Sequence, residues 1–407
     1  MRGEEHPPTL LDGVRVVDLT QLLAGPYATQ ILADMGAEVI KVEPPSGDKA
    51  RGNGPLVDGQ STYFASINRG KKSVILDLKT PGGRRVIYDL VRQSQLVVEN
   101  FQPGVAQRLG VDFETLKTVN PTVIYAACSG FGQTGRNGSL PALDIVIQAL
   151  AGTMSITGYP GGEPVRVGFS VGDIGAGLYL AIAMLGALYR HRNEPRAMFV
   201  DLSMLDSQVA MLENAFARYF ATGVVPQPTG SRHPVIAPFQ CFQASDRPFV
   251  VAASTPAQWK ELTRVVGREE WQEDPRFSSR EARIQHVEEL SKELGAIFKT
   301  RTAHEWVSEF EKARVPAAMV NTVEQAAQDP RLEARHMFTD VHYGPSQLTV
   351  VGSPVRIDGQ QVMASRQVPT LGEHQSYVLS TVLGYTAEEV RALAREGVFG
   401  WTTEQSV

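Results

Sequence analysis

Residues 14–43 read VRVVDLTQLLAGPYATQILADMGAEVIKVE, and two hydrophobic periods alternate within them. Val14-Arg15-Val16-Val17 is a short β-branched run, and Pro26 to Met35 carries apolar residues at helical spacing. Ala37 to Val42 is a second apolar run, stopped by Pro44-Pro45. The same rhythm continues downstream. Ser73 to Leu78 reads as a strand, and Pro81 opens a helix that runs to about Gln93. Leu96-Val97-Val98 follows as a strand, Phe113 to Val119 as a helical stretch, and Val123 to Ala127 as another strand. Strand and helix in alternation predict an α/β fold with a mostly parallel sheet covered on both faces.

From about Ala142 the pattern turns helical, with one more short strand near Val165 to Phe169. Long helices follow over Ile174 to Arg190 and Ser203 to Ala221. Thr222 to Pro234, rich in Gly, Pro and Thr, reads as a linker. A hairpin over Gln240 to Ala252 and helices near Pro256 to Val266, Arg280 to Lys299 and Ala303 to Ala313 form an α+β unit. Short strands return at Thr339 to Tyr343 and Leu348 to Val351, and Ala387 to Glu396 is a last helix.

At 407 residues the chain predicts about two domains. A net charge of −5 argues against nucleic-acid and anionic-membrane partners. Cys128 and Cys241 imply no disulfide framework and suit a reducing, cytoplasmic compartment. Met1 to Pro8 has no apolar core of a secretory signal. Leu178 to Tyr189 is shorter than the roughly 20 residues that span a bilayer.

In an open parallel sheet, ligands bind beyond the carboxyl ends of the strands, where loop N–H groups and helix N-termini converge. Four loops meet that rule: Thr20 to Pro26, Glu43 to Asp48, Glu99 to Arg108, and Ser129 to Arg136. Arg108 and Arg136 add cations suited to phosphate. A dinucleotide is disfavoured, because Leu23-Ala24-Gly25-Pro26 stands where G-x-G-x-x-G would, and Pro26 lacks an N–H for pyrophosphate.

The segment Val167-Gly168-Phe169-Ser170-Val171-Gly172-Asp173-Ile174-Gly175 offers two nucleophiles. Gly168 to Gly172 is a formal G-x-S-x-G, so Ser170 is a hydrolase candidate, although no HGGG-type oxyanion motif precedes it. Asp173 opens a helix between two glycines, where its ordinary role is an N-cap. The same placement favours an ionised carboxylate, and a carboxylate can attack a thioester to form a mixed anhydride.

These residues resemble family III CoA-transferases, which include formyl-CoA transferase and carnitine CoA-transferase, with alpha-methylacyl-CoA racemase as a relative. The likeness runs from Leu11-Asp12-Gly13-Val14 onward, through Leu23-Ala24-Gly25-Pro26, Met35 to Glu43 and Asn68-Arg69-Gly70-Lys71-Lys72-Ser73. It continues in Leu76-Asp77-Leu78-Lys79, Glu99 to Gly104, Ser129-Gly130-Phe131-Gly132, Val200 to Asp206, Gly372-Glu373-His374 and Leu383-Gly384-Tyr385. The resemblance implies a CoA-transferase in which Asp173 carries acyl groups as anhydrides. It places Ala24, Leu76, Asp77, Leu78, Lys79, Asn100, Phe101 and Arg108 against coenzyme A. It further implies acyl-CoA and a carboxylic acid as substrates, with no metal and no tightly bound cofactor. The implied fold is a Rossmann-like large domain made from both chain ends, over 1–205 and 336–407, with linkers at 206–228 and 316–335. A smaller α+β domain is inserted at 229–315, and two chains interlock as a homodimer.

Racemases of this superfamily pair the aspartate with a histidine in a Gly-His-Asp block, since moving an α-proton needs an acid and a base. Here the block reads Pro141-Ala142-Leu143-Asp144, and Leu143 cannot transfer protons, so transfer is expected over racemisation. The glycine-rich lid of formyl-CoA transferase is replaced by Pro234 to Pro238, and a cation after the second strand by Pro44. Lys71 and Lys72 read either as phosphate contacts or as a solvated basic turn. Arg51, Arg69 and Arg166 are candidates for holding the carboxylate of an acceptor acid, a dicarboxylic one included. Cys128 reads as core packing.

Overall fold

The apolar runs of the first 130 residues are strands buried on both faces, which is why they lack the alternation of a half-solvated strand. In the computed structural model, which describes residues 9–134 and 140–400, six strands form one parallel sheet. They are β1 (Arg15–Asp18), β2 (Glu38–Glu43), β3 (Lys72–Ile75), β4 (Leu96–Glu99), β5 (Ile124–Ser129) and β6 (Met198–Ser203). Their order is β3-β2-β1-β4-β5-β6, so the chain builds outward from β1 first one way and then the other. Val17 lies opposite both Ile40 and Val97 at the centre.

Two apolar layers sandwich this sheet. Val17, Ile40, Val97 and Tyr125 face one layer, shared with Val86 and Leu90 and, from the far end of the chain, Val378, Leu379, Leu393 and Phe399. Val16, Val39, Val98 and Cys128 face the other, shared with Ala28 and Leu32 and with Leu180 and Met184. The helices behind these layers are α1 (Ala24–Asp34), α2 (Pro81–Arg92), α3 (Asp144–Leu150), α4 (Val171–His191) and α5 (Met204–Met211). Local chemistry sets their starts. Thr80 caps α2 by accepting from the Gly83 N–H, and Pro81 sits in the first turn, where its missing N–H costs nothing. α4 lies so close over α1 that a Cβ on Gly177 would come within 2.8 Å of the Ala24 carbonyl oxygen.

The chain divides into two compact units. One is drawn from Met1–Thr153, Arg166–Phe220 and Arg331–Val407, and the other from Met154–Val165 and Ala221–Pro330. The first unit therefore uses both ends of the chain, but every strand of the six-stranded sheet comes from the N-terminal half. Its C-terminal part makes a separate sheet, in which Phe338–Tyr343 pairs antiparallel with Ser346–Val351 and parallel with Gln367–Val368. The second unit holds a three-stranded antiparallel sheet of Phe239–Gln243, Pro248–Ala252 and Ala317–Met319. Its core gathers Phe249, Phe298, Trp306 and Phe310.

Several local expectations are corrected. No strand forms over 165–169; the sixth strand is Met198–Ser203, an edge strand with Phe199 and Asp201 exposed, so its apolar pattern is diluted. The helix expected over Ser203 to Ala221 is two, Met204–Met211 and Glu213–Thr222, and the one over Arg280 to Lys299 breaks at His286. α4 starts three residues before Ile174 and runs for 21, so it is long and apolar enough to cross a membrane. Its Leu180, Ala181, Met184 and Leu188 are nevertheless committed to the core. The opposite face leaves Leu178, Tyr179, Ile182 and Tyr189 exposed.

Candidate active site

β1 and β4 are neighbours from which the sheet is extended in opposite directions, so the loops beyond their carboxyl ends part and leave a crevice. A cleft of about 260 Å³ lies there. Leu22, Leu23 and Ala24 follow β1 into its wall, Asn100 and Phe101 follow β4, and Ser129 and Gly130 end β5. Asp144, Asp173 and Tyr63 complete the polar lining. A second cavity of about 120 Å³ is lined by Leu76, Asp77, Leu78 and Lys79 with Pro44 and Phe101, so Phe101 borders both. Asn100 also shapes the wall. Its amide accepts from the Gln21 N–H and donates to the Gln21 carbonyl, both at 2.8 Å.

Asp173 is the third residue of α4, not its N-cap; Ser170 holds that position without a side-chain cap bond. The cap comes from another helix. Asp144, the first residue of α3, accepts from the Gly172 N–H at 2.8 Å and from the Gln148 side-chain amide at 2.7 Å. Glycine at 172 makes room for this approach, since a Cβ there would lie 3.0 Å from Asp144 Oδ1 and press it back by a few tenths of an ångström.

The carboxyl group of Asp173 is pushed up to about 6 from its ordinary value of 3.8, first by burial and then by the charge of Asp144. The helix N-terminus acts in the opposite direction, but such an effect amounts to about 0.3–1 kcal/mol. A rise of this size corresponds to about 3 kcal/mol, so burial and repulsion win. The expectation that the helix end sets the charge state is therefore corrected. Tyr63 is pushed up to about 12 by burial and by the charges of Asp173 and Asp48, which keeps its hydroxyl a proton donor. Cys128 is pushed up to about 12, chiefly by burial, so its thiol is no nucleophile near neutrality.

The other sequence candidates separate clearly. Ser170 is not part of the cleft lining and no strand feeds it, so the strand–turn–helix of a nucleophile elbow is absent and the hydrolase reading falls. Leu143 is exposed on the cleft wall, and a leucine there can transfer no proton. Arg108 lies in the last turn of the short helix Val105–Leu109 and borders neither cavity. Arg136 lies outside the described residues.

Lys71 is neither a phosphate contact nor a solvated turn. It is fully buried and donates to Asp18 Oδ2 at 3.0 Å, Thr29 Oγ1 at 2.7 Å and Asn68 Oδ1 at 2.8 Å. Lys72 pairs with Glu38 at 2.6 Å and sits over the Tyr377 ring. Arg51 is held by Glu43 and Tyr343, and Arg69 by Asp34 and the Val351 carbonyl, so neither is available to a substrate. Arg166 alone of the three keeps a half-exposed head, 3.7 Å from Asp144. Asp144 and Tyr63 are the lining residues that the sequence reading passed over. Asp144 sat in the block read only for its leucine.

Comparison with known proteins converges on one description. The family model of CoA-transferase family III matches residues 11–375. The acetyl-CoA:oxalate CoA-transferase of Acetobacter aceti is 40% identical, over 87% of this chain and 90% of its own. The succinyl-CoA:mesaconate CoA-transferase of Haloarcula hispanica is 37% identical, over 91% of this chain and 95% of its own. The crystal structure of a CAIB/BAIF family protein from Brucella suis superposes with a TM-score of 0.82. It is 35% identical and covers 93% of this chain and 100% of that one.

Proposed function

This chain belongs to CoA-transferase family III, and from that premise we propose that Asp173 carries the reaction as its acylated carboxylate. The enzyme moves coenzyme A from an acyl-CoA donor to a free carboxylic acid. The observation that carries the reading of Asp173 is its charge. A half-buried carboxylate beside a second carboxylate, in the cleft at the sheet's switch point, is costly while ionised and loses that cost on acylation.

The steps balance without a metal, an oxidant or net proton transfer. An Asp173 oxygen attacks the thioester carbonyl and the C–S bond breaks, giving an aspartyl-acyl anhydride and CoA thiolate. The thiolate attacks Asp173 Cγ and releases the donor carboxylate, leaving an aspartyl-CoA thioester. The acceptor carboxylate then displaces the thiolate from Cγ to form a second anhydride. The thiolate attacks the acceptor's acyl carbon and frees Asp173. Both covalent forms are neutral at the side chain, so the burial and the Asp144 repulsion that raise the carboxyl also drive its acylation. Tyr63 stands ready to donate a hydrogen bond to the oxyanion.

Coenzyme A is placed along the two cavities that share Phe101, its thiol end toward Asp173 and its nucleotide end toward Leu76 to Lys79. The names of the relatives, oxalate and mesaconate among them, point to a short dicarboxylic acceptor, with Arg166 as the cation for its far end. The apolar face of α4 at Leu178, Ile182 and Tyr189 supports burial against a second copy, as in an interlocked homodimer. Free Cys128 and Cys241 suit a reducing, cytoplasmic compartment.

The test offers acetyl-CoA and succinyl-CoA with oxalate, mesaconate and glutarate and follows new thioesters by mass spectrometry. Asp173→Ala is expected to lower exchange by at least about a thousandfold while CoA binding persists. Turnover that survives in this variant removes Asp173 from its role.

A further inference from the structure

Thr20, Gln21 and Leu22 lead into the cleft wall, which begins at Leu22, and each is held by a side chain remote in sequence. The Thr20 carbonyl accepts from Lys41 Nζ at 2.8 Å, Gln21 is gripped at both N–H and C=O by Asn100, and the Leu22 N–H donates to Asp48 Oδ1 at 3.1 Å. Leu22 needs such a grip because its φ is +68°, a left-handed conformation that is strained for a leucine and that no glycine relieves here. Asp48 is built to supply it. Its Oδ1 also accepts from the Ala50 N–H at 2.9 Å, its own N–H donates to Glu43 Oε2, and its Oδ2 lies 2.7 Å from Lys41 Nζ, both side chains fully buried.

We propose that Asp48, a residue outside the cleft lining, is a positioning residue of the transfer reaction, fixing the strained turn at Leu22 that sets Leu22 and Leu23 as the wall facing Asp173. The inference rests on the reading of this cleft as the site of acyl transfer. It predicts a kinetic signature distinct from that of a stability element. The wall guides the acyl end, whereas Leu76 to Lys79 border the separate cavity, so loss of the turn falls on kcat and spares the KM for the acyl-CoA.

The experiment uses the full chain with the fastest donor and acceptor of the exchange panel. In Asp48→Asn the buried Lys41 ammonium takes the one amide oxygen, and the NH2 group is left against the Leu22 and Ala50 N–H donors, so the Leu22 bond is lost. A misplaced wall is expected to lower kcat about ten- to a hundredfold with KM within about twofold. Placing Leu22→Gly in the same chain supplies a residue that adopts the left-handed turn freely. The penalty of Asp48→Asn then shrinks to about two- to threefold, whereas an equal penalty in both backgrounds overturns the inference. Leu22→Val gives a second line if Asp48→Asn does not fold, since β-branching is least compatible with that φ. It should be slower than Leu22→Gly although it keeps more of the wall; a Leu22→Val enzyme as fast as the parent overturns the inference. Hydroxylamine trapping on Asp173, run on the parent and on Asp173→Ala, keeps the two failures apart. Turnover in Asp173→Ala sinks the reading of the nucleophile, and a dead Asp173→Ala with an undiminished Asp48→Asn sinks the positioning role alone.

Discussion

Two groups of acids lie within the same unit, one at the start of α4 and one beneath the β1 loop, and they are treated in opposite ways. At α4, Asp173 faces Asp144 and its carboxyl is pushed up to about 6. Beneath the β1 loop, burial would also raise Asp18, but Lys71, Lys41 and the hydroxyls of Thr20 and Thr29 outweigh it and hold the carboxyl below its ordinary value. Depth does not distinguish them, since Asp18 is the more deeply buried. Charge balance does. Asp18 and Asp48 meet two lysines, whereas Asp173 meets another acid, and that imbalance fits the role proposed for Asp173.

The sharpest way to break this comparison is to unbalance the balanced group. Lys71→Met leaves Asp18 buried without its closest cation and is expected to cost about 3–5 kcal/mol, read from urea unfolding at neutral pH. A loss below about 1 kcal/mol would mean that the cluster is not holding the sheet together.

The acid limb of activity sharpens the other side. With Asp173 attacking as the anion, as proposed, kcat/KM should be level above about pH 7 and fall about tenfold per unit below about 6. Asp144→Asn keeps an oxygen for the Gly172 N–H and removes the repelling charge, so the limb should move to lower pH; a limb unmoved by that change would assign it elsewhere.

The smallest effect is on stability. The folded-state carboxyl of Asp173 lies above the unfolded value of 3.8, so the folded chain binds this proton more tightly. Stability from this group is fully present below about pH 4 and is lost as pH rises through about 6. Asp173→Asn should therefore stabilise the protein by about 1–3 kcal/mol at pH 7.5 and leave it unchanged near pH 3.5, as followed by urea unfolding at the two pH values.

Five of the six sheet strands were legible because each, four to six residues long, is built on a short apolar run. The sixth was not. Met198–Ser203 carries an exposed Phe199 and Asp201 at the sheet edge, and its identity rests on pairing with β5, Ser129 against Ser203. The cleft loops after β1, β4 and β5 were legible from strand ends, Tyr63 and Asp144 were not, and Asp173 was singled out by its glycine flanks and the family resemblance. Lys71 illustrates the limit. Its neighbours Gly70 and Lys72 read as a basic turn, and its true partners, Asp18, Thr29 and Asn68, include residues 42 and 53 positions away.

Periodicity, breakers and caps are properties of neighbouring residues, and they determined by themselves the alternating strands and helices, the parallel sheet and hence the end at which a ligand sits. Which acid stays charged, which lysine is locked in a pair and which arginine remains open depend on distances of a few ångströms between residues remote in sequence. Only the folded chain creates those distances, and coulombic and burial energies change steeply over them.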